Sequence, residues 1–189
     1  WDYDEWTYLP AIYRSIDNGE SFTRIVEMTS VNGFNVGTSN FDLWIPDNGT
    51  NDPLVMNDDD VYLLDGDSFE MTPIGNINST SNGNNILIGG QSTDDQVFLH
   101  ARIGDMHHAS SNGGISWENI GTLPTGTFTI NSFECSNSDM NKLAIGNVDG
   151  YATNDGGQNW TLINNWWVYY SAPESKLHAD IPEFNYNVD

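Results

Sequence analysis

The chain has 189 residues, and its 27 acidic and 5 basic side chains give a formal net charge of −22. A surface this acidic repels the phosphates of nucleic acids and of anionic membranes, so neither is an expected partner. The 7 Trp, 8 Tyr and 8 Phe supply enough apolar area for a folded core. No apolar run reaches the roughly 20 residues of a membrane-spanning helix, so no membrane insertion is expected.

Short alternating or apolar runs follow one another along the chain. In order they include AIYRS, FDLWIP, NNILIGG, QVFLHARI, FTINSFE, KLAIGN and WTLI. Clusters of Gly, Asn, Asp and Ser separate them, and no amphipathic helical stripe with caps is present. The pattern predicts an all-β fold.

One turn motif occurs three times. Residues 15–22 read SIDNGESF, residues 110–117 read SSNGGISW and residues 153–160 read TNDGGQNW. All three fit [S/T]-x-[D/N]-x-G-x-[S/N]-[F/W]. Near residue 62, VYLLDGDSFEMTPI is interpreted as a degenerate copy with a shortened turn. A repeat of about 40 to 50 residues of strand and turn is typical of four-stranded β-propeller blades.

The motif is interpreted as a structural corner rather than as a catalytic or metal site. Its Asp or Asn should accept hydrogen bonds from its own turn. Its Gly should adopt a positive φ, and its final aromatic ring should pack between blades. The residues are Asp17, Gly19 and Phe22, then Asn112, Gly114 and Trp117, then Asp155, Gly157 and Trp160. Asn112 keeps the acceptor without the charge, which suits a structural role.

These motifs resemble the Asp-box, or BNR, repeat of the sialidase, sortilin and xyloglucanase-like propellers. The stretch NSDMNKLAIGNVDGYATNDGGQNWTLI follows that family's blade from its second strand to its fourth. The resemblance implies a β-propeller of four-stranded antiparallel blades, with the motif turns on the outer rim, away from the ligand face. The chain also looks like a segment of a larger secreted bacterial surface protein, of the kind exported by the type IX route.

The repeats divide the chain into parts of an incomplete ring of about four blades. Residues 1–30 are the outer half of a blade, residues 31–76, 77–123 and 124–165 are full blades, and residues 166–189 are a connection and the inner strand of the next blade. Since free sheet edges are prone to aggregate, we expect the ring to be completed by the rest of a parent propeller or by another chain.

The first candidate binding residues lie in NNWWVYY, a connection between blades. They are Trp166, Trp167, Tyr169 and Tyr170. Aromatic rings in such a connection either pack into the core or form an exposed platform for a sugar or a protein.

The second candidate binding residues lie in LHADIPEF. His178 and Asp180 match part of the H-x-D-x-H pattern with which related propellers open an inner strand, but Pro182 replaces the second His. They either bond to neighbouring strand ends or line a ligand face.

Metal signals are weak. NDDDVYLLDGD groups five carboxylates, Asp58, Asp59, Asp60, Asp65 and Asp67. It lacks the D-x-D-x-D-G order of a calcium loop, so a solvated turn and a weak Ca²⁺ site both stay open. The adjacent His107 and His108 would face opposite sides of a strand, so no joint metal site is expected. No other cofactor is expected.

The sequence favours a non-catalytic extracellular or cell-surface module that binds glycan or protein. The alternative is part of a xyloglucanase-like polysaccharide hydrolase, which would need two carboxylates about 6.5–9.5 Å apart. No spacing selects such a pair, so no catalytic residue is assigned. A third hypothesis is a sortilin-like receptor ectodomain.

Overall fold

The computed structural model describes residues 11–27, 41–46, 52–79, 86–93, 96–124 and 132–174, together with residues 177, 181 and 184. Within these residues the chain is built almost entirely of short β-strands. They are β1 (Ala11–Arg14), β2 (Thr23–Glu27), β3 (Phe41–Trp44), β4 (Leu54–Asn57), β5 (Asp60–Leu64), β6 (Met71–Asn76), β7 (Ile86–Ser92), β8 (Val97–Ile103), β9 (Met106–Ser110), β10 (Glu118–Thr122), β11 (Ser132–Cys135), β12 (Leu143–Gly146), β13 (Gly150–Thr153) and β14 (Thr161–Asn164).

A single helical turn, α1 (Trp166–Tyr169), follows β14. Across the described ranges, no helix has the length and apolar character that crossing a bilayer requires.

The strands form antiparallel sheets in unbroken chain order. The first sheet is β1–β2, and the second, third and fourth sheets are β3–β6, β7–β10 and β11–β14. The innermost strands lie side by side, with β3 against β7 and β7 against β11. Consecutive four-stranded antiparallel sheets joined along their inner strands are the blades of a β-propeller, so the predicted fold class is confirmed.

The apolar core lies between consecutive sheets, in three clusters. The first cluster joins the first and second sheets, and the second cluster joins the second and third sheets. The third cluster joins the residue just after β10 to the fourth sheet. Their buried members include Ile12, Val26, Val55 and Tyr62 in the first cluster, Met56, Val61, Leu99 and Ile103 in the second, and Leu123, Phe133, Leu143 and Ile145 in the third. Each four-stranded sheet is therefore stabilised mainly by its neighbours.

A β-bulge recurs in the outer hairpin of each of these sheets. The outermost strand carries one extra residue where the pairing register shifts, and in every case that residue is isoleucine: Ile25, Ile74, Ile120 and Ile163. Such a bulge bends the strand and increases its twist. Ile25 and Ile74 pack against the cluster shared with the following sheet, whereas Ile163, in the fourth sheet, is 46% exposed.

The inner strands β7 and β11 approach closely at Cys135. A Cβ placed on Gly89 would lie 3.0 Å from the Cys135 Sγ atom. The thiol is buried, and burial raises its pKa well above the ordinary value. Cys135 therefore acts as a small apolar side chain between two blades.

Candidate functional site

The three motif copies form turns with the same hydrogen bonds. In the third copy, between β13 and β14, Thr153 Oγ1 donates to Asp155 Oδ1 at 2.6 Å and accepts from the Gly157 N–H at 3.3 Å. Asp155 Oδ1 also accepts from the Asn159 N–H at 2.9 Å. Equivalent bonds join Ser15, Asp17, Gly19 and Ser21 in the first copy, and Ser110, Asn112, Gly114 and Ser116 in the second.

These hydrogen bonds hold the two carboxylates in their ionised form. Bonds from Ser21 and Ser15 lower the pKa of Asp17 to about 2, and bonds from Thr153 and Asn159 lower that of Asp155 to about 2. A group so acidic is a poor proton donor at neutral pH. Asn112 makes the same contacts without a titrating group, so the arrangement requires an acceptor and not a charge.

Two of the turns dock on the preceding sheet through their glycine. Gly157 has φ +89, and a Cβ there would overlap the ring of His107 in β9. Gly114 also has φ +89, and its Cβ would lie 3.1 Å from Val61 Cγ1 in β5. Both turns therefore approach the third strand of the sheet before them closely. A side chain at Gly157 would overlap His107, whereas one at Gly114 would require Val61 to shift slightly.

The aromatic residue that ends the motif differs between copies. Trp160 and Trp117 are partly buried and pack on the clusters shared with the preceding sheet. The expectation that Phe22 packs between blades does not hold for the described residues, because its side chain is 64% exposed. Gly19 is correspondingly open, since a Cβ there would meet only the Phe22 ring at 4.0 Å.

The degenerate copy forms a shorter turn between β5 and β6. Asp65 Oδ1 accepts from the N–H groups of Asp67 at 3.0 Å and Ser68 at 2.6 Å, and bonds from Ser68 and Asp67 lower the pKa of Asp65. In this turn the residue with a positive φ is Phe69, at 60, whereas the full motif turns use glycine for this conformation. In the described part of the chain, no group of three or more His, Cys, Asp or Glu side chains is arranged to hold a metal ion.

The aromatic segment after β14 is held in place by two side-chain caps. Asp149, in the β12–β13 turn, accepts from the Trp166 N–H at 2.9 Å. Asn165 Oδ1 accepts from the Trp167 N–H at 3.0 Å and so caps α1. Because strands alternate in direction, this segment lies at the same sheet edge as the β12–β13 turn and opposite the motif turn.

The predicted residues Trp166, Trp167, Tyr169 and Tyr170 form one group, named here the aromatic cluster. Trp166 lies 5.3 Å from Trp167 and 5.6 Å from Tyr170 between ring centroids, and each pair packs edge to face. Trp167 is 70% exposed and Tyr170 65% exposed, whereas Trp166 and Tyr169 are half-buried. Two rings therefore support two others that face solvent.

A pair of hydrogen bonds joins the two ends of this connection. The buried Asn164, at the end of β14, accepts from the Leu177 N–H at 2.9 Å and donates through Nδ2 to the Leu177 carbonyl at 3.3 Å. His178 and Asp180 lie outside the described residues. Ile181 is buried, and its N–H donates to the Asn147 carbonyl at 3.2 Å.

One half-buried carboxylate lies on an inner strand. Asp42 of β3 accepts from the Ile88 N–H of β7 at 2.8 Å and from its own neighbour Leu43 at 2.9 Å. Burial raises the pKa of Asp42. Both oxygens are engaged by backbone groups, so Asp42 links two inner strands.

A buried histidine group lies between the third and fourth sheets and is not predicted from the sequence as a unit. His100 Nδ1 and His107 Nε2 are 2.9 Å apart, and His100 Nε2 lies 2.8 Å from the Met140 carbonyl. His107 also packs edge to face with Phe133 and Trp160 of the fourth sheet. Burial first, and then the neighbouring histidines, lower the pKa of His107 to about 3. No local sequence signal marks this group, because the pairing of β8 with β9 brings its members together.

No protein-family model matches the chain, and no curated protein sequence matches it. Among solved structures, the chain is similar to YCF48 bound to D1 peptide, with a TM-score of 0.47 and 15% sequence identity. The match covers 68% of this chain and 40% of that chain, so this chain spans well under half of YCF48 in that structure. At this level of likeness, nothing about function passes from one protein to the other.

Proposed function

We propose that this chain is a non-catalytic binding module that holds a neutral carbohydrate on the aromatic cluster. The propeller fold supports a binding role in general terms, because rigid blades present connecting segments to ligands. The observation that carries the proposal is the pair of neighbouring, largely exposed rings of Trp167 and Tyr170. Exposed aromatic groups of this size mark interaction sites.

The cluster is ordered before any ligand arrives. Asp149 and Asn165 fix the start of α1, and Asn164 fixes the far end of the connection at Leu177. A preformed platform loses little conformational entropy on binding, so more of the contact energy appears as affinity.

The charge of the chain supports a neutral ligand. At −22, the surface disfavours acidic glycans and other anions. The C–H face of a neutral sugar ring is apolar and matches the electron-rich face of Trp167. A neutral carbohydrate therefore suits both the exposed aromatic rings and the negative electrostatic potential around them.

The proposal includes a location outside the cell or on its surface, as part of an Asp-box propeller. It is supported by the motif resemblance, together with the shared hydrogen bonds of the turns at Asp17, Asn112 and Asp155. Experiments must distinguish this binding role from the alternative, a polysaccharide hydrolase.

Titration with neutral cello-, xylo- and galacto-oligosaccharides, monitored by tryptophan fluorescence and calorimetry, tests the proposal. Trp167→Ala should weaken binding at least about tenfold, equivalent to about 1.4 kcal/mol, because it removes the more exposed ring. Tyr13→Ala is the matched control, since Tyr13 is an exposed aromatic residue in the first sheet, and it should bind as the wild type does.

Two results would contradict the proposal. One is that none of these sugars binds, and the other is that Trp167→Ala binds them unchanged. Release of reducing ends from a glucan by the wild-type chain would instead favour the hydrolase.

A further inference from the structure

The third motif turn docks on a side chain of a different chemical kind from the one beneath the second turn. Gly114 of the second turn lies over Val61, and Gly157 of the third turn lies over His107. Val61 and His107 hold equivalent positions, since each is the second residue of the third strand of its sheet. A titratable ring therefore occupies the place that a hydrocarbon side chain occupies at the neighbouring junction.

The hydrogen bonds around His107 determine which of its ring nitrogens carries the proton. His100 Nε2 lies 2.8 Å from the Met140 carbonyl, which can only accept, so neutral His100 is protonated at Nε2 and not at Nδ1. His100 Nδ1 lies 2.9 Å from His107 Nε2, so His107 Nε2 must be the donor between them. Neutral His107 therefore carries its proton at Nε2 and has an unprotonated lone pair at Nδ1.

The unprotonated Nδ1 atom of His107 is enclosed beneath the third turn. His107 is 1% exposed, and its Nδ1 atom has no hydrogen-bond partner among the described residues. Gly157 lies against this atom, because a Cβ built on the glycine would be 2.5 Å from it. Both nitrogens of His100 are already engaged, so His107 Nδ1 is where this pair can take up a proton without losing a hydrogen bond.

We propose that acid releases the third motif turn, residues 153–160, from the third sheet through a proton bound at His107 Nδ1. While the turn is docked, the new N–H group and its positive charge would be buried against Gly157 without an acceptor. Movement of the turn away from β9 lets water solvate the imidazolium. The proton comes from the solvent, and the N–H bond is the only covalent bond that forms.

Other titratable or charged side chains lie on the elements packed around His107. They are His100 and Arg102 of β8, Asp105 of the β8–β9 turn, His108 on the opposite face of β9, Glu118 of β10, Glu134 and Cys135 of β11, Asp139 and Lys142 of the β11–β12 turn, Tyr151 of β13 and Asp155 of the motif turn. None of them is a hydrogen-bond partner of His107 Nδ1.

Several of these groups keep their charge state while His107 titrates. Hydrogen bonds from Thr153 and Asn159 lower the pKa of Asp155 to about 2, so it stays ionised. Burial raises the pKa values of Cys135 and Tyr151, so both stay neutral in acid. The remaining carboxylates and His108 are distinguished from His107 by substitution.

The direction of the pH dependence follows from the two states of the turn. Burial first, and then the neighbouring histidines, lower the pKa of His107 to about 3 while the turn is docked, against an ordinary value of 6.5. In the released state the ring is solvated, and its pKa returns to the ordinary value. The equilibrium constant for release should therefore rise about tenfold for each pH unit between 6.5 and 3.

Hydrogen exchange of two glycine amides, followed by NMR, tests the inference between about pH 7 and about pH 4.5. The Gly157 and Gly114 N–H groups are matched reporters, since each is buried and donates to the hydroxyl of its own turn, at 3.3 Å and 3.0 Å. After correction for the intrinsic exchange rate, the opening constant at Gly157 should rise at least about thirtyfold over this range. At Gly114, above Val61, it should change less than about threefold.

Substitution of His107 should abolish the rise at Gly157. His107→Gln can still donate to His100 and takes up no proton. His107→Val, which copies the second junction, is the alternative if the first variant does not fold. The matched controls are His108→Gln, Glu134→Gln and Asp139→Asn, which should keep the wild-type rise, and circular dichroism at the lowest pH confirms that the strands remain formed.

Four results would overturn the inference. The first is an opening constant at Gly157 that does not rise in acid, and the second is a rise that persists in both His107 variants. The third is an equal rise at Gly114, which would show that acid opens the whole chain. The fourth is loss of the rise in a control variant, which would assign the trigger to that residue instead.

Discussion

Gly157 and Gly19 occupy the same position in two turns, but their surroundings differ. Both have a φ near +90, and a Cβ on Gly157 would overlap the His107 ring whereas one on Gly19 would meet only Phe22 at 4.0 Å. Gly157→Ala should therefore lower the free energy of unfolding by about 2–4 kcal/mol, through backbone strain and overpacking. Urea unfolding measures this loss.

Gly19→Ala is the control for that substitution. It carries the same backbone strain without the overlap, so it should lower the free energy of unfolding by about 1 kcal/mol. Equal losses for the two variants would show that the close approach to His107 does not contribute to stability.

Between the third and fourth sheets, the buried histidines make stability depend on pH. Burial lowers the pKa of His107 from its ordinary value of 6.5 to about 3. Between pH 6.5 and 3, His107 is protonated in the unfolded chain and neutral in the folded chain. The free energy of unfolding therefore falls as the pH drops through 6.5 towards 3. Acid should loosen this junction.

His107→Gln tests the effect, because glutamine can still bond to His100 but does not titrate. Between pH 7 and about pH 4.5, the variant should lose at least about 1 kcal/mol less stability than the wild type in urea unfolding. Asn119→Gln, at an exposed position of the neighbouring strand β10, should keep the wild-type pH dependence. If His107→Gln also kept it, the buried imidazole would not be the source.

At the level of elements, local patterns predict the strands well. The runs KLAIGN and WTLI form β12 and β14, and the motif turn lies between β13 and β14 as expected. The bulge at Ile163 is not predicted, although an isoleucine stands three residues after the last aromatic residue in each full motif. A bulge is defined by the register between two paired strands, so the sequence of one strand alone does not reveal it.

The candidate site is predicted less completely than the fold. The residue types in NNWWVYY indicate an aromatic group, but the choice between core and platform depends on which rings their neighbours cover. Trp166 is half-buried and Trp167 is exposed, although the two are adjacent and identical. The contacts that fix the start of α1 are partly remote in sequence, since Asp149, which accepts from the Trp166 N–H, lies 17 residues away in the chain.

For the whole molecule, the charge of −22 sets a dependence on salt. Like charges repel across the folded surface, and raising the ionic strength from about 10 to about 150 mM shortens the range of that repulsion from about 30 to about 8 Å. NaCl should therefore raise the melting temperature by roughly 2–4 °C, equivalent to about 1 kcal/mol. A flat or falling melting temperature would contradict this.

Calcium chloride at matched ionic strength is the comparison for that experiment. A further rise with Ca²⁺ would indicate specific binding, whereas an equal rise would indicate screening alone. Screening alone is expected, because the described residues include no group of three or more His, Cys, Asp or Glu side chains arranged to hold a metal ion.

The paired hydrogen bonds between Asn164 and Leu177 close the aromatic connection at its base, where it leaves and returns to the sheet. Since both ends are fixed to the blade, the residues between them can change in length or composition without moving the strands. New ligand preferences could thus be engineered by replacing that insert alone, leaving the folding of the propeller intact.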